Sequence, residues 1–172
     1  RPVLFLDLQL ITDTNDFASQ LLKKVLGIYK FEKIKHLLKS FRVIPTISIN
    51  PMNTLPEVSF QPSTDSFVPL EDVLNLIDKL GEKKSKPIVI FDEFQEVMQI
   101  EGHLDRKLRA IMQLHQHVNY ILMGSAESMM KDIFEKKKSP FYHFGYLFPL
   151  NKIGYDDLFS FLSVKFKAIS SE

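Results

Sequence analysis

Two adjacent carboxylates stand where a buried strand is expected to end. Asp92 and Glu93 follow the uninterrupted apolar run 88–91, which is typical of a parallel strand buried on both faces. The carboxyl ends of such strands are where open α/β sheets bind ligands. There, one carboxylate can hold Mg²⁺, usually through water, and its neighbour can orient or polarise an attacking water. The pair therefore indicates phosphoryl-transfer chemistry, although carboxylates at strand ends also serve as solvated caps.

A hydroxyl group follows the next apolar run of the chain. Residues 118–123 are predicted to form a short strand that ends at Gly124 and Ser125. If the two strands are neighbours, the Ser125 hydroxyl could contact a γ-phosphate or the attacking water. Ser125 could also cap the helix that follows it, and the two roles are compatible.

The elements that must position these groups alternate between strand and helix. The predicted strands are 3–6, 88–91, 118–123 and 144–150, with a further strand pair joined by a turn-rich loop within 43–60. Predicted helices follow the possible caps at 12–16, with an interruption at Gly27, and lie between Pro69 and Gly81, after Leu104, around Met129 and from Asp156. This alternation predicts an α/β domain with a mostly parallel sheet.

Composition limits the classes of function. Of the 172 residues 45% are hydrophobic and 25% charged, which predicts one globular domain or most of one. The net charge of +1 provides no general attraction to nucleic acid or membrane, and the lack of cysteine excludes disulfides and cysteine-based metal sites. With neither a membrane-length apolar run nor a signal-peptide layout, we expect a cytoplasmic protein. Because residue 1 is not Met and a strand is expected at once, we also expect a segment upstream.

Three other groups of residues favour structural interpretations. His115 and His117, two positions apart, would point to different sides of a helix, so we assign no metal ligand there. The run Lys136 to Lys138 suits a helix C-terminus and an exposed turn better than a nucleic-acid contact. The aromatic residues within 141–148 alternate as in a strand with one buried face, rather than as a base-stacking surface.

Several segments together resemble a known family. These are 87–95 (PIVIFDEFQ), 120–130 (YILMGSAESMM), 140–142 (PFY) and the strand that leads into Pro149 and Leu150. In this order they resemble the archaeal-type ATPase family, a branch of the AAA-like P-loop NTPases, over nearly the whole chain. The resemblance implies a partial P-loop NTPase core of the additional-strand type, with three layers around a mostly parallel sheet. By position, Asp92 resembles the Walker B magnesium-site aspartate, Glu93 the catalytic glutamate and Ser125 the polar sensor.

The resemblance also implies a domain layout. Residues 1–150 would form an ATPase core that lacks the N-terminal P-loop strand and helix, with the strand pair near 43–60 as an insertion. Residues 151–172 would begin a helical lid. The chain departs from the family in two ways: it contains no G-x-x-x-x-G-K-[ST] motif, and His143 and Phe144 follow the Pro-Phe-Tyr segment where the family often has an arginine.

The missing loop limits what the chain can do alone. Hydrogen bonds to charged groups contribute ~1.5 to 3 kcal/mol each, so the loss of several, together with the lysine, removes ~6 kcal/mol or more. A micromolar nucleotide site would then become millimolar or weaker. The expected function is therefore a fragment of an ATP-binding P-loop ATPase that supplies the Walker B and sensor elements and handles ATP poorly by itself. The intact protein would use ATP and Mg²⁺.

Other functions remain open at this point. The alternative is a non-catalytic interaction module or a nucleic-acid-associated scaffold, which the missing loop and the missing arginine favour. A metal-dependent nuclease built on Asp92 and Glu93 would need further carboxylates and a lysine in register, which the sequence does not offer. Exposed sheet edges predict that an isolated fragment associates with itself.

Overall fold

A computed structural model of the chain describes residues 1–48 and 56–169. Its strands are β1 (Val3–Asp7), β2 (Thr46–Ser48), β3 (Glu57–Ser59), β4 (Ile88–Asp92) and β5 (Asn119–Leu122). Its helices are α1 (Thr14–Ile28), α2 (Phe31–Leu38), α3 (Phe67–Leu80), α4 (Val97–Ile100), α5 (Leu104–Met112), α6 (Glu127–Phe134) and α7 (Tyr155–Ile169), and 3₁₀ turns cover Leu8–Leu10 and Phe94–Glu96. The predicted α/β class is confirmed.

The central sheet is parallel and has the order β1–β4–β5. Its register pairs Asp7 with Asp92 and Phe91 with Leu122, so the three strands end at one common edge. The antiparallel pair β2 and β3 lies where the sequence predicts a strand pair, and the predicted turn at 50–54 falls outside the described residues. That this pair is an insertion into a larger core stays a prediction.

Helices cover one face of the central sheet. The connections from β1 to β4 and from β4 to β5 step across the sheet in the same direction, so right-handed crossovers place their helices on the same side. The side chains of Leu4, Val89 and Phe91 are buried beneath this layer, in which α1 packs against α3. The Phe17 ring of α1 meets the Phe91 ring edge-on, with 5.2 Å between centroids. The hydrophobic core lies on this side.

The opposite face of the sheet is open. Its alternate residues Val3, Phe5 and Ile121 are 47%, 45% and 44% exposed. Apolar residues on both faces are the pattern of a sheet sandwiched between two helical layers. The open face is therefore where a third layer would pack.

The helix ends near Gly27 and Gly81 differ in part from the sequence-based prediction. The expected interruption at Gly27 is absent: α1 begins after the cap Asp13, whose side chain accepts a hydrogen bond from the Asp16 amide, and passes through Gly27 to Ile28. The separate helix α2 then begins at Phe31. Helix α3 ends before Gly81 as predicted, but Gly81 has φ −73°, so its role there is not a left-handed cap.

The predicted strand at 144–150 is wrong. The chain turns over residues 140–145 and is irregular from 146 to 150. Phe141 is fully buried against Phe94 and Phe134, whereas Tyr146 and Phe148 are 91% and 73% exposed. An alternating segment forms a strand only where a neighbouring strand pairs its backbone groups, and none of the described strands lies beside this one.

Helix α7 lies where the sequence predicts a helix from Asp156, but it is exposed along its length. Between 155 and 167 only Ser163 is partly covered. Its apolar side chains remain accessible, for example Phe159 at 60% and Phe166 at 66%. In globular proteins such helices derive most of their stability from packing, so α7 presents a surface suited to a partner. No helix among the described residues is long and apolar enough to cross a membrane.

Candidate functional site

Asp92 and Asp7 end the two neighbouring strands β4 and β1. Asp92 Oδ1 accepts the backbone N–H of Glu93 at 3.0 Å, and Asp7 Oδ1 accepts that of Gln9 at 2.9 Å. The second oxygen of each carboxylate accepts no hydrogen bond from another described residue. Asp7 was not among the residues singled out from the sequence, although it ends the first apolar run in the same way that Asp92 ends the fourth strand.

Glu93 has a backbone conformation that is unusual for a residue with a side chain. Its φ of 49° and ψ of 46° lie in the left-handed region, which costs ~1 to 2 kcal/mol outside glycine. Two hydrogen bonds between the strand ends hold this turn: the Phe94 N–H donates to the Met123 carbonyl at 2.7 Å, and the Met123 N–H donates to that of Phe91 at 2.9 Å. Strained residues of this kind concentrate at functional sites, which makes Glu93 a candidate on geometric grounds.

The left-handed turn directs the Glu93 carboxylate toward the end of β5. The Ser125 hydroxyl lies 3.0 Å from each carboxylate oxygen, and the Ser125 N–H donates to Oε2 at 3.3 Å. The Gln95 side-chain amide donates to Oε2 at 2.5 Å. The Gln95 amide, and after it the Ser125 amide and hydroxyl, hold the pKa of Glu93 below its usual value, so the carboxylate is ionised at neutral pH.

Gln95 completes this arrangement from the buried side. Its residue exposure is 4%, and its Oε1 atom is buried without a hydrogen-bond partner among the described residues. Gly124 leaves room for it, since a Cβ at this position would lie 2.3 Å from Gln95 Oε1 and 2.6 Å from Met130 Sδ. Sequence reasoning gave Gln95 no role, although it stands within the quoted segment PIVIFDEFQ.

Of the three predicted site residues, the structure brings two into contact and places the third beside them. Glu93 and Ser125 are hydrogen-bonded, and Asp92 precedes Glu93 at the same edge. Within residues 1–48 and 56–169 there is no cluster of three or more His, Asp or Glu side chains that could hold a metal ion by itself. Mg²⁺ is commonly held by one or two carboxylates together with substrate phosphates and waters, and the uncommitted oxygens of Asp92 and Asp7 fit that manner of binding.

The histidines have partners of another kind. The helical spacing assumed for His115 and His117 is wrong, because α5 ends at Met112 and both residues lie in the connection to β5. His115 bonds the Tyr120 hydroxyl at 2.7 Å and the Asn75 side-chain oxygen at 3.1 Å. The backbone N–H of His117 donates to the Asp78 side chain at 2.7 Å. These contacts join β5 to α3 and give both histidines structural roles.

The run Lys136 to Lys138 is exposed directly after α6. Lys136 pairs with Asp132 at 2.7 Å, one helical turn earlier. This placement at a helix C-terminus is the one that the sequence favours.

Comparison with known proteins identifies a similar fold. The solved structure of a Walker-type ATPase of Pyrococcus abyssi matches with a TM-score of 0.59 and 20% sequence identity, covering 99% of this chain and 47% of that one. The chain thus spans about half the length of the protein it matches. At this identity the likeness shows the fold alone, a mixed α/β architecture that matches a P-loop NTPase-like core. No protein-family model matches the chain, and no curated protein matches it by sequence.

Proposed function

We propose that this chain supplies the Walker B and sensor elements of an ATP-binding P-loop ATPase. The observation that carries the proposal is the hydrogen-bonded contact of Glu93 with Ser125 across the ends of β4 and β5. It joins an ionised acid to a hydroxyl at the sheet edge where α/β folds bind ligands. The fold shared with a Walker-type ATPase supports the same conclusion.

Each of the three residues has a distinct role. Asp92, through its uncommitted oxygen, would help hold Mg²⁺, which supplies charge neutralisation at the phosphates of ATP. Glu93 accepts a hydrogen bond from the attacking water and orients it. Ser125, whose hydroxyl can turn from Glu93 toward a ligand, contacts the terminal phosphate.

In this proposal the phosphate-binding loop comes from residues outside this sequence, which contains no G-x-x-x-x-G-K-[ST]. Two features of the fold support an additional strand, loop and helix. Among the described strands β5, like β1, is paired on one side only, and the apolar face that carries Phe5 and Ile121 is open. A parallel strand beside β5, followed by a helix across the open face, would cover both. Without them the chain would bind ATP weakly and would tend to associate with itself through the same surfaces.

A second candidate is a non-catalytic interaction module, with ATP playing no part. The exposed apolar residues Tyr146, Phe148 and Leu150 and the helix α7 favour it, because such surfaces mark sites of protein association. A role as a nucleic-acid scaffold has less support, since the net charge is only +1.

The decisive experiment measures ATP binding and hydrolysis by the longest natural protein that contains this chain. The matched variants are Glu93→Gln and Glu96→Gln, because the Glu96 side chain lies in the same turn and makes no hydrogen bond to a described residue. We expect Glu93→Gln to lower kcat by ~10² to 10⁴-fold while ATP still binds, and Glu96→Gln to keep the wild-type rate. An unchanged rate in Glu93→Gln would overturn the role of Glu93. A wild-type protein that neither binds nor hydrolyses ATP would favour the interaction module.

A further inference from the structure

Gln95 is a buried polar residue whose burial is not explained by stability. It lies in the 3₁₀ turn Phe94–Glu96 with 4% of its surface exposed. Its Nε2 atom donates to Glu93, but its Oε1 atom is buried without a partner among the described residues. An apolar side chain of similar length would avoid the unfavourable burial of Oε1. The presence of an amide here is therefore better explained by the hydrogen bond that it donates to the Glu93 carboxylate.

The four contacts of the Glu93 carboxylate are divided unequally between its oxygens. Oε2 lies 2.5 Å from Gln95 Nε2, 3.3 Å from the Ser125 N and 3.0 Å from the Ser125 Oγ. Among the described residues, Oε1 lies within hydrogen-bond distance of the Ser125 Oγ alone, also at 3.0 Å. Because a hydroxyl carries a single proton, Ser125 donates to one acceptor at a time. When this proton turns to a phosphate oxygen, Oε1 is left free for water, and of the side chains in the described ranges Gln95 is then the one that still holds Oε2.

The orientation of the Gln95 amide is fixed by its surroundings. Turning the amide over would place Oε1 against the ionised carboxylate, where two acceptors would face each other. On its other side the amide abuts Gly124, since an added Cβ there would lie 2.3 Å from Oε1. The charge of Glu93 therefore directs the donor end of the amide at the carboxylate, and the close approach of Gly124 limits how far the amide can move.

We propose that Gln95 is a positioning residue that holds Glu93 Oε2, so that Oε1 faces the attacking water once Ser125 has turned to the phosphate. The inference rests on the proposed function, because it gives Gln95 a role in the water activation assigned to Glu93. It makes Gln95 necessary for turnover but not for ATP binding or folding.

The first test substitutes Gln95→Met in the longest natural protein that contains this chain. Methionine keeps the length of the side chain, removes the donor and removes the unpaired Oε1. We expect the unfolding midpoint to stay the same or rise, kcat to fall ~10 to 100-fold and KM for ATP to change less than ~2-fold. The matched control is Gln99→Met in α4, since Gln99 is exposed and makes no hydrogen bond to a described residue. A wild-type kcat in Gln95→Met, or a lower unfolding midpoint with kcat and KM changed together, would overturn the proposal.

The second test needs no ATP hydrolysis. The side-chain amide signals of Gln95, identified by their loss in Gln95→Met, should exchange with solvent at least ~10-fold more slowly than those of Gln99. Glu93→Ala should remove this protection, and Glu96→Ala should not. Exchange as fast as that of Gln99 would mean that the Gln95 contact is not maintained. If the wild-type protein neither binds nor hydrolyses ATP, the proposed function fails, and if Glu93→Gln keeps full activity, the role of Glu93 fails. If Glu93→Gln is inactive while Gln95→Met has a wild-type kcat, only the role of Gln95 fails.

Discussion

The two faces of the central sheet have similar residues and opposite environments. On the covered face Leu4 and Phe91 are 1% and 0% exposed beneath α1 and α3, whereas on the open face Val3 and Phe5 are 47% and 45% exposed. These residues alternate along the same strands, so the difference arises from the helices and not from the strands. A sheet with apolar residues on both faces is typically packed between two helical layers, and the described residues contain one such layer.

The difference in burial between the two faces shows from which side the candidate site is supported. Phe91 immediately precedes Asp92 and packs edge-on against Phe17, so the strand end that carries the carboxylates is anchored from the covered side. The hydrogen bonds from the Phe94 N–H to the Met123 carbonyl and from the Met123 N–H to the Phe91 carbonyl then fix the turn at Glu93 without help from the open face. The turn that carries Asp92 and Glu93, to which our proposal assigns metal binding and water activation, is therefore supported by the helical layer that the described residues contain.

The largest expected effect comes from removing the anchor on the covered face. Phe91→Ala leaves a cavity against Phe17 and should lower the free energy of unfolding by ~3 to 5 kcal/mol. Phe5→Ala, the matched change on the open face, should lower it by less than ~1.5 kcal/mol, since nearly half of that side chain already contacts solvent. Urea denaturation of the two variants measures both. Equal losses would mean that the open face is buried in solution.

An intermediate effect is expected where α3 meets the segment that leads into β5. A Cβ added to Gly81 would lie 2.0 Å from the carbonyl oxygen of His117, and this is a backbone atom that cannot simply rotate away. Gly81→Ala should therefore separate α3 from β5 and lower the free energy of unfolding by ~1 to 3 kcal/mol. Gly102→Ala is the control, because apart from its two chain neighbours no described residue has an atom within 4 Å of the added Cβ. Similar thermal unfolding midpoints for the two variants would contradict the close approach.

Gly81 also illustrates what can be predicted from a sequence. The end of α3, the strands β1, β4 and β5 and the placing of Ser125 near Glu93 follow from local periodicity and from the rule that parallel strands end at one edge. The reason for a glycine at position 81 does not follow, because it is a tertiary contact with His117 and not a left-handed φ. The predicted strand at 144–150 is wrong for a related reason. A strand forms only beside a neighbouring strand, and the residues of the segment do not specify that neighbour. Gln95 could not be recognised, because the direction of its amide depends on the left-handed backbone of Glu93.

A smaller effect, visible only in acid, is expected at His115, in the connection between α5 and β5. Burial lowers the pKa of this imidazole, an effect that the nearby Asp78 partly offsets. Below the unfolded pKa of ~6.5 the unfolded chain binds more protons than the folded one, so stability is complete above this pH and declines as the pH falls toward the lower folded pKa.

Free energies of unfolding between about pH 5 and pH 7.5 measure this contribution. His115→Gln should flatten the decline, whereas His36→Gln, a change at an exposed histidine of α2, should leave it unchanged. The same pH dependence in wild type and His115→Gln would show that His115 does not contribute.

The smallest effect on stability is expected on the open face at β5, which is one of the two outer strands of the central sheet. Ile121 of β5 is 44% exposed, so Ile121→Lys should change the free energy of unfolding of the isolated chain by less than ~0.5 kcal/mol. The same substitution should reduce self-association, because a lysine on an edge strand opposes pairing with another chain. Sedimentation of the 172-residue chain over a range of concentrations measures this, with Lys137→Ile as a control that adds an apolar side chain to an already exposed site outside the sheet. If wild type and Ile121→Lys are equally monomeric, β5 and the open face do not drive association. If both associate equally, the contact lies elsewhere on the protein. The exposed apolar side chains of α7 would then be the surface to alter next.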